Sequence, residues 1–308
     1  MDWTVYWFMF PVCVVVAGVA MFSGISGAAM LTPIFLIGFP LAGVPRLTTV
    51  AAIGTSLFLE TSGFGTGLYR YMRMRLVDTK TAKSLIVLTL PLAALGAIAA
   101  RHVPAQALRL GYGVAMLGLA WLLLQDRSGG GSSKDSPDSP SPAVVSESDR
   151  SHPNCGSGEP RELRAASGKI YCFCAHGLRL QRILSGVGAF LAGLISTGVG
   201  EATLPPLVQR SRFPVAVAAA TSTVVVAGTV TGAAMTHLIQ LVMEGGLGAV
   251  PWNLIVWAVP GAVIGAFIGT RLQGRVGEHA ARFFFAGLFA AIGVSFLLAF
   301  TIFGRRFQ

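Results

Sequence analysis

Two carboxylates stand inside apolar, otherwise almost uncharged stretches of this chain, Glu60 and Glu201. The other acids are placed differently. Asp126, Asp135, Asp138, Glu147, Asp149, Glu159 and Glu162 fall in or beside a polar central segment, and Asp2, Asp78, Glu244 and Glu278 fall at ends or turns. A carboxylate in hydrocarbon is costly and marks proton relays and ion pathways. Glu60 and Glu201 are therefore the proton-coupling candidates. Glu60 comes one helical turn after Ser56, so it shares a face with the Thr55–Ser56 pair.

Glu201 itself lies in a glycine-rich break, and the break has a counterpart. Gly24, Ser26, Gly27 and Pro33 mark the first; Gly198, Gly200 and Pro205 mark the second. Each is followed by a hydroxyl pair, Thr55–Ser56 and Thr221–Ser222, then by Pro91, Gly96 and Arg101 or by Pro260, Gly265 and Arg271. Gly and Pro inside apolar segments interrupt helices and free backbone groups. Backbone amides at a half-helix start attract an anion, and hydroxyls add donors without charge. Interrupted helices at matching positions of two membrane repeats point to a transporter's substrate site. The substrate-binding expectation is therefore Gly24, Ser26, Gly27, Pro33, Thr55, Ser56, Gly198, Gly200, Pro205, Thr221 and Ser222.

The elements that must hold these residues are membrane helices. Hydrophobic residues make up 53% of the chain and charged residues only 12%, against about 25% charged in soluble domains. Residues 3–45 carry no charge and are about twice the ~20 needed for one crossing. Further apolar runs cover 47–68, 84–100, 110–125, 183–209, 214–243, 252–270 and 283–304. The expected fold is all-α and polytopic, with eight to ten spans in two inverted repeats, broken at the centre. Residues 1–125 form the first repeat, 126–182 a cytoplasmic, largely disordered linker, and 183–308 the second repeat. The linker assignment rests on a Ser-, Pro- and Gly-rich stretch, 128–160, that lacks aromatic residues.

Charge sets the orientation. Arg70, Arg73, Arg75, Lys80 and Lys83 surround the turn at Asp78, which is expected to face the cytoplasm. The corresponding turn of the second half, 244–250, has no basic residue and is expected to face outward. Arg305 and Arg306 would then lie outside, against the rule. The net charge of +10 sits in short loops rather than on one soluble face, so it reads as topology and excludes nucleic acid as a partner. The N-terminal apolar stretch lacks a basic leader region and is expected to be retained. A multi-pass protein of the plasma membrane follows, with the lipid bilayer and a small anion as its partners; a homo-oligomer is compatible with the class.

The breaks ending in Pro, the Thr-Ser pairs and the duplicated halves resemble the TauE/SafE family of sulfite exporters and sulfonate-related permeases. The resemblance spans most of 10–124 and 183–303. It implies a secondary permease for a sulfur oxyanion or organosulfonate such as sulfite, driven by a proton or ion gradient, and it carries over to the break and Thr-Ser positions named above. Ser26 and Ala28 stand where the family tends to have more glycines, Glu201 stands in such a place in the second break, and the linker is long.

The residues offer three other chemistries. A passive anion channel would use the same residues. Gly24–Gly27 matches the nucleophile motif of intramembrane serine proteases, with Ser26 as nucleophile and His237 as the one clearly intramembrane base; the spacing around His237 does not fit. Cys172, Cys174 and His176 lack a fourth ligand and a standard zinc spacing. No enzyme, metal or cofactor is expected.

Overall fold

A computed structural model gives the structure of the chain and describes residues 4–23, 26–45, 47–125, 144–145, 159–197, 199–209, 211, 213–272 and 278–303. Gly24 and Gly198 lie outside the described residues, as do Arg305, Arg306 and most of 128–160. Among the described residues the first half comprises α1 (Met9–Ser23), α2 (Ala28–Pro33), a π-helical turn (Ile34–Gly38), α3 (Phe39–Leu41), α4 (Thr49–Arg73), α5 (Thr79–His102) and α6 (Ala105–Gln125). The second comprises α7 (Leu178–Ile195), α8 (Val199–Gln209), α9 (Val215–Gly245), α10 (Trp252–Leu272) and α11 (Glu278–Phe303). Each half thus runs long helix, a shorter stretch that is broken in the first half and the single helix α8 in the second, then three long helices.

The fold is an all-α membrane bundle. Four helices, 79–102, 178–195, 216–245 and 252–271, are long and apolar enough to cross a bilayer. Large apolar side chains such as Val87, Leu95, Ile183, Val187, Ile239, Phe267 and Phe283 point outward from α5, α7, α9, α10 and α11, as expected where the surroundings are lipid. α4 is less apolar because it carries Thr, Ser and Glu. Its hydroxyls fold back on their own helix: Thr61 donates to the Leu57 carbonyl at 3.0 Å, Ser62 to Leu59 at 2.7 Å and Thr66 to Gly63 at 2.7 Å. Internal satisfaction of this kind lets a polar helix sit in a bilayer.

The halves interlock by exchange. α1 lies along α10, and α5 lies along α7. The first helix of each half therefore packs on the fourth helix of the other. α4 packs on α9 and α6 on α11, third on third and fifth on fifth. The repeated Gly96 and Gly265 belong to these seams. A Cβ on Gly96 would strike the Phe190 carbonyl of α7, and one on Gly265 would strike the Val14 carbonyl of α1. Gly193 is equally tight against the Ala93 carbonyl. Small residues at such crossings let membrane helices approach backbone to backbone.

α5 and α9 run side by side in the same direction. At one end the Asp78 backbone N–H donates to Thr221 Oγ1 at 3.0 Å; midway Thr89 and Thr229 share a 2.7 Å hydroxyl bond. At the other end Arg101 pairs with Glu244. The turn that enters α5 and the turn that leaves α9 consequently lie at opposite ends of the pair.

The segment 126–182 is not all linker. After β1 (Val144–Val145), strands β2 (Glu159–Arg164) and β3 (Ile170–Ala175) form an antiparallel hairpin, in sheet order β1-β3-β2. Alternation in Ile170–Ala175 supplies the reason: Phe173 and Ala175 are buried against Leu207, Phe213, Val217 and Ala218. The hairpin also docks on the first half. Ala166 N–H donates to the Met74 carbonyl at 2.9 Å, and Arg161 reaches Asp78 at 3.1 Å. Cys174 is disulfide-bonded and so is not a thiolate ligand. Burial, then the nearby Glu162, push the Cys172 thiol pKa up.

Candidate functional site

The first break lies between α1 and α2. Gly27 gives its backbone N–H to Glu60 Oε1 at 2.8 Å, and both residues are buried. An acid on α4 thus fastens the start of α2. Ser26 is also buried there. Glu60 and Gly27 line a small cavity with Cys13, Ala17, Leu31 and Ala262, so the carboxylate sits where α1, α2, α4 and α10 meet. Five residues after Thr55 stands Glu60, whereas five after Thr221 stands Val226. The acid breaks the symmetry of the halves.

At the second break Ser196 ends α7 in a left-handed conformation, φ 59°. α8 follows, packs on α7 and starts with buried Val199 and Gly200. Here the two halves meet through hydroxyls. Thr32 Oγ1 lies 2.7 Å from Ser56 Oγ and 2.7 Å from Ser196 Oγ. Ser56 also donates to the Ile53 carbonyl at 2.9 Å. A hydroxyl has one proton to give, so the order is fixed: Ser196 donates to Thr32, Thr32 to Ser56, and Ser56 to Ile53. Next to Ser196, Thr197 Oγ1 is buried without a hydrogen-bond partner. The site therefore holds three hydroxyls in series and one unengaged donor.

The expected residues divide by location. Ser56 belongs to this cluster, Thr55 is buried beside it on α4, and Pro33 is buried next to Thr32. Thr221 is elsewhere, under the Asp78 N–H at the end of α5, with Ser222 buried next to it. The side chains of Glu201 and Pro205, both in α8, lie outside the described residues. Thr32, Ser196 and Thr197 were missed. All three flank the glycine- and proline-marked breaks, so the signal was there: hydroxyls adjoining an interruption are the ones a change of direction turns inward.

His237 of α9 is fully buried and places Nε2 2.8 Å from the Gly193 carbonyl. Its Nδ1 has no hydrogen-bond partner.

A buried polar centre between two interlocked helical halves defines a multi-pass membrane transporter. The sequence profile of the sulfite exporter TauE/SafE family matches residues 9–296, and the chain belongs to that family. No curated protein and no solved structure matches the chain.

Proposed function

We propose that the chain is a secondary carrier for a small sulfur oxyanion of the sulfite type. The observation that carries this reading is the Thr32–Ser56–Ser196 cluster, in which hydroxyls from both halves meet in a buried centre. Uncharged donors suit an oxyanion that must be bound and then released. A fixed cation would hold it too tightly, because hydrogen bonds to charged groups are worth about twice neutral ones. Thr197 supplies the first donor, and Ser56 supplies another when it leaves the Ile53 carbonyl. Ser56 gives up only a bond within α4, so the Thr32–Ser196 bond that joins the halves is kept when the anion binds.

The two repeats are read as inverted, each turn of one half matching a turn on the other side of the membrane. The parallel run of α5 and α9 supports this. Coupling is to a proton or ion gradient, and Glu60 and Glu201 are the carboxylates available for it.

Sulfite flux into proteoliposomes tests the reading. A carrier gives saturable uptake and sulfite counterflow, with a raised KM in Thr32→Val and Ser196→Ala. Large single-channel currents would mean a passive channel, and no sulfite movement by well-folded protein would reject the substrate class.

A further inference from the structure

We infer that His237 carries the coupled proton, in place of either carboxylate; this rests on the carrier reading above. His237 lies deep in the bundle, where α9 crosses α4 and α7. A Cβ on Gly54 would come 2.8 Å from the His237 Cβ, so the imidazole occupies space left by a glycine. Gly54 is adjacent to Thr55 and two residues before Ser56. The carbonyl that holds His237 Nε2 belongs to Gly193, one turn before Ser196. The ring therefore touches α4 and α7, two of the three elements that supply the hydroxyl cluster.

Its donor and acceptor positions are decided by that bond. Nε2 must carry hydrogen to bond a carbonyl, so Nδ1 is the bare nitrogen of the neutral ring. Nδ1 is buried and unpartnered, and one turn along α9 Gln240 Oε1 is buried and unpartnered as well. Glu244 follows on the same face, half-exposed at the end of α9 and paired with Arg101. Polar groups thus run from the exposed end of α9 inward to the cluster: Glu244, Gln240, His237. A proton entering along this face binds Nδ1 and makes an imidazolium. The cation then offsets the charge of the arriving anion, and the two cross together as a neutral pair. A carboxylate could only remove its own negative charge.

Among the described residues few charges face the ring; α8, which also packs on α9, carries Glu201, whose side chain lies outside them. α5 contributes Arg101, held by Glu244 of α9 itself. α7 contributes the Gly193 carbonyl, its ionisable Arg179 and Arg182 lying at its other end. α4 contributes Gly54, and its nearest acid is Glu60, further along the helix.

The test is His237→Gln in proteoliposomes loaded with sulfite, with Glu60→Gln alongside. Glutamine keeps an N–H donor for the Gly193 carbonyl and cannot become cationic. Both pH-driven accumulation and sulfite-evoked proton movement should be lost in His237→Gln at normal membrane expression and kept in Glu60→Gln. Unchanged pH-driven accumulation in His237→Gln overturns the inference and returns the role to a carboxylate. If wild-type protein moves no sulfite, the carrier reading has failed instead. Should His237→Gln not reach the membrane, Glu60→Gln decides: retained pH-driven accumulation supports the inference, and its loss at normal membrane expression returns the role to a carboxylate and sinks the inference.

Discussion

Asp78 gives its backbone N–H to Thr221, 143 residues later in the chain, at 3.0 Å. The same Asp78 caps α5 through Lys80 N–H and accepts from Thr81 and Arg161. One residue thus gathers the first half, the second half and the hairpin. Thr221 is therefore a fastening at the end of the bundle, whereas Ser56 of the other Thr-Ser pair enters the hydroxyl cluster.

The position of Asp78 makes orientation measurable. Arg75 and Gly248 lie in the turns at opposite ends of the α5–α9 pair, and Gly248 is exposed. Single cysteines at these positions, in a background without native thiols, should react with an impermeant reagent from opposite sides. The basic residues put Arg75 in the cytoplasm. The Cys174 disulfide on the docked hairpin pulls the other way, since disulfides persist in oxidising compartments. Labelling of Arg75→Cys from outside would reverse the orientation, and labelling of both from one side would reject inverted repeats.

Breaking the Asp78–Arg161 pair should release the hairpin. Both side chains are mostly buried, and removing one partner leaves the other charge uncompensated. Asp78→Ala should cost about 3 kcal/mol or more. It should open the 159–177 region to limited proteolysis. Resistance equal to wild type would mean that the apolar contacts of Phe173 hold the hairpin alone.

The cluster should bind rather than build. Thr32→Val keeps shape and removes a donor, so it should raise the KM for sulfite by about 10- to 100-fold, the worth of one bond to a charged group. Its melting temperature in detergent should change little by comparison. An unaltered KM together with a large loss of stability would show the cluster to be structural.

Glu60 should separate two roles. Glu60→Gln retains an acceptor for the Gly27 N–H and should fold normally. Glu60→Leu leaves that N–H buried and unpaired, at a cost of about 1–3 kcal/mol. Thermal melts of the two variants check this. Equal stability would mean that the break does not depend on the bond at 2.8 Å.

Much of this architecture could be read from residue order. The apolar runs, the interruptions and the polar centre follow from composition and from Gly and Pro placement. The hairpin was hidden because six residues, Ile170–Ala175, adjoin a long Ser- and Pro-rich stretch that dominates any composition window. The separation of Thr221 from Ser56 is illegible for a different reason. Two Thr-Ser pairs look alike in sequence, and only the exchange of helices between halves decides which hydroxyl meets Thr32 and which meets Asp78. Contacts between residues over a hundred positions apart leave no local trace.

The exchanged seams also set an order of assembly. α1 finds its glycine-lined groove only on α10. A ribosome adding about 5–20 residues per second needs on the order of 10–50 s to travel from one to the other. Throughout that interval α1 must wait in lipid with its small-residue face open, and α5 waits likewise for α7. Neither half is a folding unit. Made as separate chains, each would persist only in the company of the other.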